Sequence, residues 1–327
     1  MTSSLKNENL NIGVLKLGTR ASPLAMIQAR DMAARIKNMY PQVDVELVKF
    51  TSTGDRVQDR ALAEIGGKGL FAKELEMALL DGKIDLAVHS MKDLETSLPA
   101  GLALAAVTER EDPQDVLICA KAKSIAELPQ NARVGTASAR RAAQLLALRP
   151  DLKISLIRGN VGTRLGKIES GEFDATILAA AGLKRLDLLK SLMDEGKAHL
   201  IPLDLMPPAV AQGIVGIEVK AETLDDPQLA AFYASLNDAD GWAQATLERR
   251  VLFELDGSCK SAISCFCQID GDSFTLEAAV YQPEGKKVWS DAVSGPLDRS
   301  TNLKDALALV GQMGSGLAKR ATNALDV

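Results

Sequence analysis

The order strand–helix–strand–helix–strand occurs twice along this chain, and no other feature limits its fold as strongly. In the first occurrence residues 13–17 read as a strand, and Ser22-Pro23 offers an N-cap with proline at the first helical position. Ile27, Met32, Ile36 and Met39 then recur on one face until Pro41 stops the helix. Val43, Val45 and Leu47 alternate as a strand, residues 70–80 are helical, Asp81-Gly82 turns, and residues 84–88 form a buried strand. The second occurrence falls within residues 113–208, with strands at 133–135, 153–157 and 173–180 and helices at 138–149 and 161–170. Such alternation predicts an α/β fold, each mainly parallel sheet being covered by helices on both faces. Beyond Pro207-Pro208, residues 213–219 form one more strand. If it returns to the first sheet, the chain crosses between two similar domains twice.

The remainder has another character. A long helix fits residues 241–255, and a cluster of cysteines follows it. Phe274, Leu276, Ala278 and Val280 alternate, and Pro283-Glu284-Gly285 turns into a second strand at 287–293. Leu303, Ala306, Val310, Met313 and Leu317 share one face of a final helix. The expected division is residues 10–112 with 209–232, then 113–208, then a small α+β domain at 233–327. A chain of 327 residues is long enough to bury a core in each.

Aromatic residues make up only 4% of the chain, which argues against a nucleic-acid binder built on base stacking. The net charge of −5 speaks against a general polyanion partner. Residues 1–10 are polar, with no apolar core for a signal peptide, and apolar runs such as residues 175–183 are too short to span a bilayer. A cytoplasmic protein with no membrane or nucleic-acid partner is expected.

That net charge hides an asymmetry. Residues 131–185 hold ten Lys/Arg and four acids, a balance of +6 that leaves −11 for the rest. Several of the arginines stand at expected strand ends and helix starts, in Gly135-Thr136-Ala137-Ser138-Ala139-Arg140-Arg141 and Arg158-Gly159-Asn160-Val161-Gly162-Thr163-Arg164. Ligands of open α/β sheets bind outside the carboxyl ends of strands, and arginine is shaped for bidentate capture of carboxylates. A solvated basic face is the plainer reading. It accounts less well for Gly and Thr beside the cations at two strand ends, so a small ligand with several carboxylates is favoured.

Three further motifs carry chemistry. His89-Ser90-Met91-Lys92-Asp93 follows the strand at 84–88, and a carboxylate there can hold a positive charge developing on substrate or accept its N–H. A surface Lys-Asp pair is the plainer alternative. Gly66-Gly67-Lys68-Gly69-Leu70-Phe71 can cradle an anion or be a flexible loop, and it lacks the spacing of a nucleotide-binding loop. Cys259, Cys265 and Cys267 have the spacing Cys-x5-Cys-x-Cys, and the two histidines, His89 and His199, are distant; no metal is expected. Cys265 and Cys267 alternate in an apolar strand as core residues, and Cys119 is read likewise. Cys259 sits in a turn after Asp256-Gly257-Ser258, either a reactive thiol or an ordinary loop thiol.

Taken together, these segments resemble the porphobilinogen deaminase family, also called hydroxymethylbilane synthase. The matching strings are Thr19-Arg20-Ala21-Ser22-Pro23-Leu24-Ala25, residues 66–71, residues 89–93, residues 158–164, Ala180-Ala181-Gly182-Leu183-Lys184-Arg185-Leu186 and Gln212-Gly213. The resemblance implies two doubly wound domains like those of a type II periplasmic binding protein, joined by two crossovers, plus the C-terminal domain. It implies a transferase of tetrapyrrole biosynthesis that joins four porphobilinogen molecules head to tail, with loss of ammonia, to give hydroxymethylbilane. The implied cofactor is a dipyrromethane held by a thioether to Cys259. Asp93 matches the catalytic carboxylate, which would hydrogen-bond pyrrole N–H groups and stabilise the cationic azafulvene. Arg20, Arg140, Arg141, Arg158, Arg164 and Arg185 would neutralise the acetates and propionates of the pyrroles. Ser22, Lys68, Lys92, Thr136 and Ser138 match family positions that bind cofactor or substrate carboxylates.

The sequence departs from the family pattern at several places. Glu64 stands where many members have lysine, Ala137 replaces a serine, Ala139 a leucine, and Ala211 the glycine before Gln212-Gly213. Lys260-Ser261-Ala262-Ile263-Ser264 lacks the usual proline and glycine after Cys259, which predicts an altered loop geometry with the thiol retained. The competing reading from the domain pattern alone is a non-catalytic binder of small anionic solutes.

Overall fold

The computed structural model describes residues 13–52, 71–255 and 261–325. Glu64, Lys68 with its glycine run, and Cys259 lie outside the described residues.

The first sheet is built from parallel strands Asp44–Phe50, Val14–Arg20 and Leu86–Ser90, in that spatial order. Val215–Lys220 lies antiparallel between Leu86–Ser90 and Leu102–Val107. The late strand therefore returns to the first sheet. In the second sheet the order is Lys153–Ser155, Arg133–Gly135, Ala175–Ala179, Asp115–Ile118 and Ala198–Leu200, and here Asp115–Ile118 is the antiparallel member. The two sheets share one strand order. In each, the antiparallel strand is the one whose chain arrives from the other domain, so the doubly crossed architecture follows directly from the pairing.

Local chemistry explains the helices that follow these strands. Pro23–Met39 starts with proline and buries Ala25, Met26, Ala29, Met32 and Ile36 along one stripe against the first sheet. Each fully buried aliphatic side chain there contributes roughly 1.5–3 kcal/mol. Ser138 caps Ala139–Leu148 by accepting the Arg141 N–H, and Asn160 caps Val161–Glu169 by accepting that of Thr163. The third unit is an antiparallel sheet of Ile263–Asp270, Ser273–Tyr281 and Val288–Pro296, covered by helices Ala239–Glu254 and Lys304–Leu325. Cys265 and Cys267 are buried in its core, and Cys119 is buried in that of the second sheet.

The two crossover segments run side by side. The Thr108 N–H donates to the Val215 carbonyl at 2.9 Å, and the Glu111 N–H donates to the Gly213 carbonyl at 3.2 Å. Gly213 has φ +95°, and a Cβ there would run into the Glu111 carbonyl, so only glycine fits. Glu248, fully buried on Ala239–Glu254, ties both crossovers to the third unit. It accepts from Arg110 Nη2 at 2.7 Å, from the Ala211 N–H at 2.6 Å and from the Cys267 N–H at 2.7 Å. Ala211 itself has φ +54°, a left-handed conformation that glycine adopts at less cost; its bond to Glu248 helps to hold it there.

Candidate active site

Val14–Arg20 ends on Arg20, and Leu86–Ser90 ends one residue before a 3₁₀ turn, Met91–Asp93. The turn is fixed on all sides. The Met91 N–H donates to the Ile214 carbonyl at 3.0 Å, and Met91 itself is buried. From the third unit, Arg249 donates to the carbonyls of Leu94, Glu95 and Thr96 at 3.0, 2.6 and 3.1 Å. Asp93 keeps a side chain one-third exposed (34%), with its Oδ2 3.9 Å from Arg20 Nη1. The Arg20 guanidinium lies 4.3 Å over the ring of Phe71. Ser22 begins the next helix without a capping bond from its hydroxyl.

Lys92 points toward the other domain. Its Nζ donates to Gln212 Oε1 at 3.3 Å, while Gln212 Nε2 donates to Asp115 Oδ1 at 3.0 Å and to the Pro113 carbonyl at 2.7 Å. Burial lowers the Lys92 ammonium to about 8; the charges of Arg141 and Arg140 act the same way, and Asp93 and Asp115 oppose them.

Asp115 is the anchor of the arginine pair. Its Oδ2 accepts from Arg140 Nη2 at 2.7 Å and from Arg141 Nε at 3.3 Å, and its Oδ1 accepts from Arg141 Nη2 at 2.7 Å. Despite burial, the two guanidiniums hold this carboxyl well below the usual aspartate range. Arg140 also donates through Nη1 to Gln144 Oε1 and the Pro207 carbonyl, both at 2.8 Å. Arg141 Nη1 donates to the Ile177 carbonyl at 2.9 Å. Thr136, beside them, accepts the Ser138 N–H at 3.1 Å.

Arg158 is buried, and Arg164 donates from Nε to the Gly159 carbonyl at 2.9 Å. Burial lowers Arg164 to about 10, with the charges of Arg141 and Arg158 adding to the fall and Asp93 opposing it. Arg164 and Lys92 thus approach Asp93 electrostatically from the two domains. Arg185 stands apart at the crossovers, donating from Nη2 to the Gly213 carbonyl at 2.7 Å. It opens onto a cavity of about 340 Å³ beside Gln28, Asp31 and Arg35.

The structure therefore gathers Arg20, Lys92, Asp93, Arg141, Arg158 and Arg164, with Thr136 and Ser138 behind them. Sequence reasoning missed Asp115 and Glu248. The signal for Asp115 was an acid at the head of the apolar run Val116-Leu117-Ile118, which demands a buried counter-ion. Burial pushes the Cys265 and Cys267 thiols up, away from reactivity. Among the described residues no group of His, Cys, Asp and Glu could hold a metal ion, and no helix is long and apolar enough to cross a membrane.

Comparison with known proteins gives the family. Residues 15–228 match the family model "Porphobilinogen deaminase, dipyromethane cofactor binding domain", and residues 242–314 match "Porphobilinogen deaminase, C-terminal domain". A porphobilinogen deaminase of Chromobacterium violaceum is 46% identical over 292 residues, covering 89% of this chain and 92% of its own. That of Geobacter metallireducens is 44% identical over 294 residues, 90% of each chain. Among solved structures, the periplasmic aliphatic sulphonate binding protein SsuA from Escherichia coli superposes with a TM-score of 0.43 at 13% identity, over 74% of this chain and 87% of that one. The chain belongs to the porphobilinogen deaminase family.

Proposed function

We propose that this chain joins four porphobilinogen molecules head to tail, releasing ammonia at each addition, to form hydroxymethylbilane. One observation supports the reading most. Asp93, part-exposed at a strand end, lies near Arg20 and within the electrostatic reach of Lys92 and Arg164, and burial holds these last two below their ordinary pKa although Asp93 opposes the fall. Such a grouping of cations suits an anionic guest.

The residues fit the dipyrromethane that the family description names. Its two rings carry an acetate and a propionate each, and Lys92, Arg141, Arg158 and Arg164 supply the cations, with Arg20 at the carboxyl end of the neighbouring parallel strand. Lys68 and the attachment residue, Cys259, complete the assignment. When bound, the group supplies the pyrrole carbon that starts the chain. Arg140, already bonded to Asp115, Gln144 and Pro207, acts by orienting this wall, while Ser22, Thr136 and Ser138 add neutral donors.

In the reaction the carboxylate of Asp93 accepts pyrrole N–H groups of the substrate. As the aminomethyl nitrogen departs with the bonding electrons, a positive charge spreads over the substrate pyrrole, and Asp93 stabilises it at close range. The free α-carbon of a second pyrrole attacks the methylene carbon of that cation, forms the new C–C bond and then loses its proton. Arg185 lies where a lengthening, increasingly anionic product would reach the crossovers. The protein is proposed to work as a cytoplasmic monomer, without nucleic-acid or membrane partners.

Turnover of porphobilinogen by Asp93→Asn tests the reading. The expected result is a folded, cofactor-loaded protein whose ammonia release falls by at least ~10²-fold; near-normal hydroxymethylbilane formation would refute the assignment.

A further inference from the structure

Beneath the Met91–Asp93 turn lies a group of buried charged side chains that this reaction does not use. Val215–Lys220 pairs with Leu86–Ser90 so that Gly216 faces His89 and Glu218 faces Ala87. The two-residue period of strands puts His89 and Glu218 on one face, where His89 Nε2 lies 3.0 Å from Glu218 Oε2. Glu218 is fully buried, and neither of its oxygens has an aligned hydrogen bond. Helix Lys73–Leu80 brings Glu76 and Glu74 to the same region, the segment after the turn brings Glu95, and Ala239–Glu254 brings Arg249.

A buried carboxylate without hydrogen bonds persists only when cations face it. Here the basic groups are His89, 3.0 Å away, and Arg249, on which Glu218 and Glu95 act electrostatically. Their positions in the chain matter. His89 leads into the Asp93 turn, and Arg249 clamps the three carbonyls that follow Asp93. Glu218 touches the group before the turn and acts electrostatically on the one that clamps the segment after it.

We propose that Glu218 is a positioning residue for Asp93, holding His89 and Arg249 on either side of the catalytic turn, and that Glu76 competes with it for them. The inference rests on the role given to Asp93 above. Burial and the charge of Glu218 push Glu76 up to about 7, with Glu95 and Glu74 adding to the rise and His89 opposing it. Glu76 is neutral on the acid side of that value and ionised on the alkaline side. Once ionised it competes with Glu218 for His89 and Arg249 and loosens the turn.

The test compares wild-type holoenzyme with Glu218→Gln and Glu76→Gln, each shown by intact mass to carry its cofactor. The kcat of the wild type is expected to show an ionisation near pH 7. Glu218→Gln should lower kcat roughly 10- to 100-fold with little change in KM. It should move that ionisation to lower pH, because a like charge beside Glu76 is gone, and speed amide hydrogen exchange across residues 91–96. Glu76→Gln should abolish the ionisation. Wild-type kcat, inflection and exchange in a folded Glu218→Gln overturn the inference, as does an inflection that survives in Glu76→Gln. If Glu218→Gln does not fold, Glu76→Gln decides alone. If the wild type leaves porphobilinogen unconsumed, the reaction itself fails, and the exchange rates still decide the positioning role.

Discussion

Asp115 grips Arg141 with both carboxylate oxygens, at 2.7 Å to Nη2 and 3.3 Å to Nε, and with one of them also holds Arg140. All three side chains are buried. Removing the acid leaves two buried cations without their counter-ion. Asp115→Ala should therefore lose about 3–5 kcal/mol of stability in urea unfolding at neutral pH. The pH dependence has a definite sign. The folded pKa lies below that of the unfolded chain, so the stabilisation is complete above the ordinary aspartate range. It is lost as the pH falls through the folded value, and the gap between wild type and variant should narrow in acid.

Lys92 gives a signature at the other end of the pH scale. With its ammonium lowered to about 8, it carries charge at neutrality and loses it in mild alkali. The kcat/KM for porphobilinogen should fall above that pH. Lys92→Arg, whose guanidinium stays protonated, should move the alkaline limb upward. A limb that does not move in a folded Lys92→Arg would remove Lys92 from carboxylate binding.

Arg140 and Arg164 should separate stability from turnover. Arg140→Leu breaks a buried pair and should cost roughly 3–5 kcal/mol. Arg164→Gln removes a cation that burial already disfavours, so the melting temperature should hold while turnover falls at least ~10-fold. Thermal melts and initial rates on the same samples check both.

In the sequence these two arginines look alike, each just inside a helix start within a few residues of Gly and Thr. What distinguishes them is Asp115, 25 residues before Arg140 and brought there by an antiparallel strand that alternation alone does not orient. The helices at 23–39, 139–148 and 161–169 were legible because capping residues and apolar spacing are local signals. The strands Leu102–Val107 and Ala198–Leu200 and the helix Pro227–Leu236 were not read. The burial of the first two depends on pairing with strands distant in sequence. The sheet that owns Val215–Lys220 was open for the same reason. The order of the site's segments was legible through the family resemblance, whereas the link from Lys92 through Gln212 to Asp115 depends on two crossovers meeting.

Gly213 tests that meeting directly. Its φ of +95° and the Glu111 carbonyl beside it leave no room for a side chain. Gly213→Ala should push the crossovers apart and destabilise the fold by about 2 kcal/mol or more. Urea midpoints measure the loss, and an unchanged midpoint would show that the crossovers shift freely.

The most direct test of the central claim is the intact mass of the protein made in cells that synthesise porphobilinogen. The wild type should exceed its sequence mass by two covalently bound pyrrole units, and Cys259→Ser should have the unmodified mass and no turnover. A wild type at its bare sequence mass, or an adduct that survives in Cys259→Ser, would contradict the account.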